Sequence, residues 1–440
     1  MTGSNNPINS RPQPGWFASQ QKGGAYACVI WTLAAIAFGY AFVHRVAPSV
    51  MVSDLMRDFT IGGAMIGTLS SLYFYPYVLL QIPLGALLET WGTRRLLSIA
   101  LCLAAIGAVL FGYADNLYLA YCGRILIGMG SAVGFLGSLS LAARWFSPSY
   151  FGFLAGLAMF IGMSGGMLAQ GPLALYVEYY GWRHSLFTLG AFGFGLAVLV
   201  FLLVRNHPID QKNETSSSSP RLSLRQIMTS AAQSKEVWKI AIVAATMSGP
   251  MLALGGLWGT PYLRVAYDLS RPEAAFLVSL LLLGWAVGAP AGGWLSDQLG
   301  RRKPILIFGC AMICLALMAL IFMPTLSLAI TVSLLVLIGL AGGVMACCFA
   351  LVRDVMPSAI AGGATGIINS MTVASGAILQ PLIGVALDFQ WSGKMDENIP
   401  VYAPHEYRTA FILVLISSII GLMTAIRLVE KPVATNLQNH

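Results

Sequence analysis

Twelve long apolar runs decide more about this chain than any other feature. They lie at about 25–53, 64–88, 94–114, 117–143, 150–177, 184–204, 237–262, 274–296, 304–323, 327–352, 360–387 and 407–427. A helix needs about 20 residues to cross the hydrocarbon of a bilayer, and each run supplies roughly that many or more. In lipid, every backbone N–H and C=O must be satisfied within its own segment or within a closed barrel. Barrel strands would alternate polar and apolar residues, and these runs do not. The expected fold is therefore an all-α membrane protein with twelve transmembrane helices. Composition agrees, since 57% of the 440 residues are hydrophobic and 10% are charged, too few charges for a soluble globule of this size.

The net charge of +8 is not spread evenly. Of the 25 Lys and Arg, 17 fall in the tails and in loops 2–3, 4–5, 6–7, 8–9 and 10–11. The alternate loops hold six: Arg57, Arg183, Arg264, Arg271, Lys394 and Arg408. Positive loops stay in the cytoplasm, so a bacterial inner membrane with both termini cytoplasmic is the expected location. No basic stripe with interleaved aromatics is present, which argues against nucleic acid as a partner. All seven cysteines lie in apolar runs with no CxxC pair, so they read as small apolar fillers, with no metal or cofactor implied. Residues 1–24 are polar, carry Pro7, Pro12 and Pro14, and read as a disordered cytoplasmic tail with no cleavable signal peptide. Residues 205–236 include a Ser-rich stretch and read as a cytoplasmic linker. It divides a six-helix bundle at 25–204 from another at 237–430, followed by a tail at 431–440. Asn213-Glu-Thr215 fits a glycosylation sequon, which a cytoplasmic position discounts.

A repeat supports the division. Gly85-Ala-Leu-Leu-Glu89-Thr-Trp-Gly92-Thr-Arg94-Arg95 recurs as Gly293-Trp-Leu-Ser-Asp297-Gln-Leu-Gly300-Arg-Arg302-Lys303. The offset, 293 − 85 = 208, is close to half the chain. Both copies sit between apolar runs, as expected of two pseudo-symmetric halves. The doubled loop resembles the signature of the major facilitator superfamily between helices 2 and 3 and between helices 8 and 9. Arg124-Ile-Leu-Ile-Gly128-Met-Gly130 is similar to that family's helix 4 motif, and Gly181-Trp182-Arg183 to an element between helices 5 and 6. Glu89 replaces the usual Asp, and Thr90 and Gln298 stand where a basic residue usually follows the acid. The resemblance implies a secondary transporter whose repeated loop latches the two halves at the inner surface. That role falls on Gly85, Glu89, Gly92, Arg94, Arg95, Gly293, Asp297, Gly300, Arg302 and Lys303, with the first glycine of each copy allowing close approach of a neighbouring helix.

Two arginines lie inside apolar runs. A buried arginine costs about 2.5–3.5 kcal/mol at the bilayer centre, so it must face protein or a water-filled cavity. Arg45 lies nine residues before Asp54, about 14 Å deep, and Arg124 eight residues after Asn116, about 12 Å deep from the same side. No Asp or Glu occupies the middle of a run. A substrate anion is the expected neutralising partner, since guanidinium binds carboxylate or phosphate with two parallel hydrogen bonds. Arg45 also resembles the helix 1 arginine of the organic-anion and organophosphate branch of that superfamily. His44 beside it is the expected proton carrier. Tyr73, Tyr77 and Gln81 share one helix face, and the two phenols are expected in the binding layer. Trp258, Trp285 and Asn369 are further cavity candidates by helix position. Gln170-Gly-Pro172 and Gln380-Pro381, 210 residues apart (380 − 170), read as hinge or packing elements.

The expected activity is proton-coupled uptake of a small anionic or zwitterionic organic solute, such as a carboxylate, amino acid, peptide or sugar acid, by alternating access. The partners expected are that solute, the coupling proton and membrane lipid, for a chain acting as a monomer. Efflux of amphiphilic compounds is an alternative, against which the lack of a clean antiporter pattern on helix 5 counts. Organophosphate exchange is another, weakened because the core of 237–262 carries no second arginine. An enzyme is not expected, since HExxH and paired central carboxylates are absent.

Overall fold

The computed structural model describes residues 24–147, 150–208, 224–323, 326–396 and 399–430. Within them eleven helical stretches are long and apolar enough to cross a membrane. The fifth, Phe151–Leu203, is two crossings joined at Gly181, whose φ of 79° and ψ of 162° interrupt the helix. The molecule is thus an all-helical membrane protein, with twelve spans among the described residues. Span 1 is Ala25–Val46 extended by a 3₁₀ turn at Ala47–Val50, and span 2 is Gly63–Ser71 followed by Phe74–Thr90. Spans 3 and 4 are Thr93–Gly112 and Leu117–Trp145, with a break at 132–133 inside the latter. Spans 5 and 6 meet at Gly181. Spans 7 to 12 are Lys235–Tyr267, Arg271–Gln298, Lys303–Phe322, Leu328–Val355, Ser358–Gln390 and Pro404–Ile426.

Local chemistry sets the span ends. Asn116, Ser234 and Ser327 cap spans 4, 7 and 10 by accepting a backbone N–H three residues on, and Ser270 and Glu273 form a capping box at span 8. Backbone geometry also repeats at the half-chain offset. Thr60 and Asp268 both end helices in the left-handed conformation at φ 52°, and 268 − 60 = 208. Gly92 and Gly300, at φ 77° and 60°, turn the chain within the two motif copies, and 300 − 92 = 208. The second glycine of the motif is therefore required by the turn itself.

The spans run between two ends. The motif end carries both copies of the repeated loop, and the far end carries the connections after spans 1, 3, 5, 7, 9 and 11. The tail at 1–23, the sequon at 213–215 and the tail at 431–440 lie outside the described residues. The last part of the stretch read as linker is helical, Leu224–Gln233, and packs on span 11 where Gly363 meets Ile227. At the far end a two-residue hairpin, Met395–Asp396 with Ile399–Pro400, lies between spans 11 and 12. Sequence reading gave no sign of it.

Candidate functional site

The site grows from two helix defects. Pro48 has no N–H, so the His44 carbonyl loses the partner that residue 48 would supply. Span 2 breaks at Leu72–Tyr73, just before Pro76, and the Tyr73 N–H turns to the Ser70 carbonyl at 3.4 Å. The Leu69 carbonyl is thereby left over. Arg124 on span 4 takes up these groups. Its Nη1 donates to His44 O at 2.8 Å, its Nη2 to Ser70 O at 2.8 Å and its Nε to Leu69 O at 3.3 Å. One turn on, a Cβ at Gly128 would lie 2.2 Å from the Tyr73 carbonyl oxygen. Only glycine lets span 4 come this close, which gives the Arg-x-x-x-Gly pattern a physical reason.

Arg45 is situated differently. It is 5% exposed, and its Cζ lies 4.2 Å from the Phe42 ring centroid, 5.2 Å from Tyr77 and 5.6 Å from Tyr73. The Tyr73 hydroxyl donates to Ala41 O at 3.0 Å, and the two tyrosine rings stack at 6.1 Å. Ring faces stabilise a desolvated cation by about 2 kcal/mol or more, and the Tyr73 and Tyr77 hydroxyls lie close to the guanidinium. Among the described residues, Arg45 Nε and Nη2 are buried without a hydrogen-bond partner. Unmade bonds to a buried charged group cost about 1–3 kcal/mol or more.

The remaining sequence candidates divide. Arg45, Tyr73, Tyr77 and Arg124 come together, with Arg124 Cζ 5.3 Å from the Tyr73 ring. The His44 ring is 1% exposed, packs edge-on against Tyr40 at 4.5 Å, and has neither nitrogen bonded. Asn369 Nδ2 donates to Gln81 Oε1 at 3.2 Å, joining spans 11 and 2 on the motif side of the arginines. Trp258 lies apart, its indole N–H donating to Gln380 O at 3.0 Å and its ring near Tyr407. Trp285 packs against Gly342 of span 10.

On the far side of Arg45 the two halves are bonded together. Span 7 contains a π-helical segment, Met251–Trp258. Gln170 of span 5 donates to Gly255 O in it at 2.7 Å, and accepts from Thr260 Oγ1 at 3.1 Å and Ser49 Oγ at 3.2 Å. Its counterpart Gln380 donates to Leu252 O at 2.8 Å, inside its own half. Farther out, Asp388 caps span 2 from the other half, accepting from Gly63 N and Ala64 N at 2.8 Å each and from the Tyr402 hydroxyl. Burial, together with Asp388, pushes the Tyr402 hydroxyl well above the usual phenol range. Arg271 pairs with Asp54 at 2.7 Å.

The loop residues behave otherwise. Arg94 N donates to Asn206 Oδ1 at 2.9 Å, and its guanidinium bonds the Phe201 carbonyl and lies over that ring. Arg302 pairs with Asp297 and, at 3.4 Å, with Asp354, while Glu430 accepts from the Arg302 and Lys303 backbone N–H groups. Arg95 is exposed. The Glu89 side chain lies outside the described residues. A Cβ at Gly85 or Gly293 would meet nothing within 4 Å. The close approach expected there is not made in this arrangement.

Sequence reading missed Phe42, Asp388, Tyr402 and the bonding role of Gln170. Two amides set at matching depth in otherwise apolar spans were the available signal for Gln170 and Gln380. Asp388 read only as a helix-end acid.

Residues 33–381 and 250–439 match the family model described as Major Facilitator Superfamily. The chain is 23% identical over 270 residues to the "Probable sulfoacetate transporter SauU" of Cupriavidus necator, covering 60% of this chain and 63% of that protein. It is 24% identical to the "Probable L-galactonate transporter" of Escherichia coli, covering 60% of each. Similarity to the "Probable nitrate/nitrite transporter NarK2" of Mycobacterium tuberculosis is 26% over 340 residues, covering 76% of this chain and 82% of that one. The chain thus spans about three fifths of the length of the first two relatives. Among solved structures, a bacterial homolog of the human lysosomal transporter Spinster superposes with a TM-score of 0.76 at 16% identity, covering 92% of this chain and 97% of that one. The nucleoside transporter NupG gives 0.68 at 14%, covering 92% and 100%.

Proposed function

Because the chain belongs to the Major Facilitator Superfamily, a family of transporters and not of enzymes, we propose that it carries a small organic anion or zwitterion by alternating access, driven by protons. The motif end faces the cytoplasm of a bacterial cell in this reading, which the distribution of Lys and Arg supports. The observation that carries it is Arg45, a guanidinium caged by three aromatic rings with two buried nitrogens unbonded. A carboxylate or sulfonate reaching it accepts from both and restores the missing bonds. Names of three relatives, which speak of sulfoacetate, L-galactonate and nitrate or nitrite, point to anions as well.

Roles follow from geometry. Arg124, occupied by three carbonyls, holds spans 1 and 2 around the site, while Arg45 does the binding. Tyr73 and Tyr77 wall the pocket, and Asn369 with Gln81 closes it toward the motif end. His44 takes the coupling proton, since a buried imidazolium beside Arg45 is tolerable only when an anion is present.

The test is uptake into proteoliposomes of sulfoacetate, L-galactonate, nitrate and an amino acid, by the wild type and by Arg45→Ala. Two charge-assisted bonds at about 1.5–3 kcal/mol each predict at least a hundredfold loss for the transported anion. Unchanged uptake by Arg45→Ala removes the anion reading. His44→Gln is expected to keep solute exchange and to lose accumulation driven by a pH gradient.

A further inference from the structure

A cavity of about 410 Å³ lies at the far end between the halves, lined by Ser53, by Thr260, Arg264 and Val265 of span 7, and by Asp396 and Tyr402. Its arginine is not fully used. Arg264 Nη1 donates to Ser53 Oγ at 3.3 Å, whereas Nε is buried without a partner. Arg271, also in the wall, is already held by Asp54 at 2.7 Å. Two exposed carboxylates, Asp268 and Asp396, complete the polar lining. The cavity thus has in its wall one guanidinium whose hydrogen bonds are incompletely made, with acceptors around it.

Its position gives this meaning. The Ser49–Gln170–Thr260 layer lies between the cavity and Arg45. Arg45 is four residues before Ser49, and Arg264 four residues after Thr260. At about 1.5 Å per residue, each stands about 6 Å from that layer. Two arginines with unbonded N–H groups therefore flank the Gln170 layer.

We propose that Arg264 is the capture group of a far-end subsite, which takes a small organic acid bearing hydroxyl or ammonium donors and passes it to Arg45 when the Gln170 layer opens. The claim rests on reading Arg45 as the anion clamp. The acid group accepts from Arg264, and its hydroxyl or ammonium groups donate to Asp268 and Asp396. A purely hydrophobic anion gains nothing from those carboxylates and is repelled by them, so the subsite selects hydrophilic acids before the central site is reached.

The experiment uses Val265→Cys in the full chain, in lipid nanodiscs. Val265 is 39% exposed and lines the cavity. The rate at which N-ethylmaleimide modifies it is followed by peptide mass spectrometry, with and without L-galactonate. Galactonate should slow modification at least fivefold. Adding Arg264→Gln should abolish the protection, and Arg45→Gln should leave it intact. Arg264→Lys, which keeps the charge but loses the Nε donor, should give intermediate protection, and it carries the test should the glutamine variant fail to fold. Absence of protection with Arg264 present overturns the proposal, as does full protection without it. Loss of protection in Arg45→Gln also overturns it, because galactonate would then act only through the central site. Failure of the Arg45 reading shows separately, as normal uptake by Arg45→Ala.

Discussion

At the far end, Asp388 of one half caps a helix of the other, Asp54 pairs with Arg271, and Gln170 reaches across to Gly255 and Thr260. At the motif end, Arg94 and Arg302 turn back onto their own halves, and Gly85 and Gly293 face open space. The bonds that join the two bundles thus gather at the far end, with Asn369 to Gln81 on the motif side of the arginines, while the loop residues bond within their own halves. The difference teaches which bonds alternation must break. A carrier needs its two states within a few kcal/mol of each other, so every directional bond across the far end must be matched by something formed at the motif end when the far end opens. In the proposed cycle the repeated loop supplies the charges for that; here they are engaged within each half.

Asp388 is the strongest lever on this contrast. Its carboxylate serves two N–H groups at the positive end of a helix. Asp388→Asn keeps the size and removes the charge, weakening the far end by about 2 kcal/mol. The readout is Val46→Cys, 2% exposed and adjacent to Arg45. Its modification by an impermeant thiol reagent from the far side should rise about 30-fold. No rise would mean that the far end is not held by this cap.

Gln170 and Gln380 sharpen the contrast because they are equivalent in position and unlike in partners. Gln170→Leu cuts bonds between the halves and should raise Val46→Cys modification about tenfold, for about 1.4 kcal/mol. Gln380→Leu cuts bonds to Leu252 within one half. It should lower the melting temperature and leave the accessibility near that of the wild type. Equal effects from the two would erase the distinction between gate and scaffold.

Gly85→Leu probes the opposite end. The side chain enters open space here and should fold normally. If the motif end closes over Gly85 in the other state, the leucine obstructs that closure, and Val46→Cys modification should slow about threefold with reduced transport. Gly92→Ala contrasts with it, since φ 77° and Asn206 at 2.2 Å from a new Cβ make it destabilising in this state. Strain of that kind costs about 1–2 kcal/mol.

The fold was legible because bilayer physics writes it into composition: span lengths, loop charges and the repeated motif each follow from one strong constraint. The site was legible in part. Arg45 and Arg124 stood out because charge inside an apolar run is costly, and the tyrosines because they recur at helical spacing. Sequence could not show that Arg124 serves carbonyls freed by Pro48 and by the break at Leu72–Tyr73, since that depends on where span 2 gives way. Nor could it show Asp388 capping Gly63, a contact between residues 325 apart in the chain. A helix-end acid looks the same whether it meets water or another helix.

The smallest effect belongs to a bond that lies at the far end but does not cross it. Asp58 accepts from the Trp182 indole at 2.9 Å and pairs with Arg183, all within the first half. Partial burial works against its charge, yet the hydrogen bonds from Trp182 and Arg183 and the nearby arginine charges prevail, holding its carboxyl below the usual range. A depressed folded-state pKa means stability that is present above the unfolded value and lost as pH falls through the folded one. The contribution should therefore be whole at neutral pH and decline progressively as pH falls below about 4. With the Arg183 side chain 39% exposed, solvent screening limits the ion pair to about 0.5 kcal/mol. Asp58→Asn should lower the melting temperature by a degree or two at pH 7, and by less at pH 3.5. It should leave Val46→Cys modification unchanged. A change in that rate would show that the far end is secured by the whole cluster of loops, and not by the bonds that join the two halves.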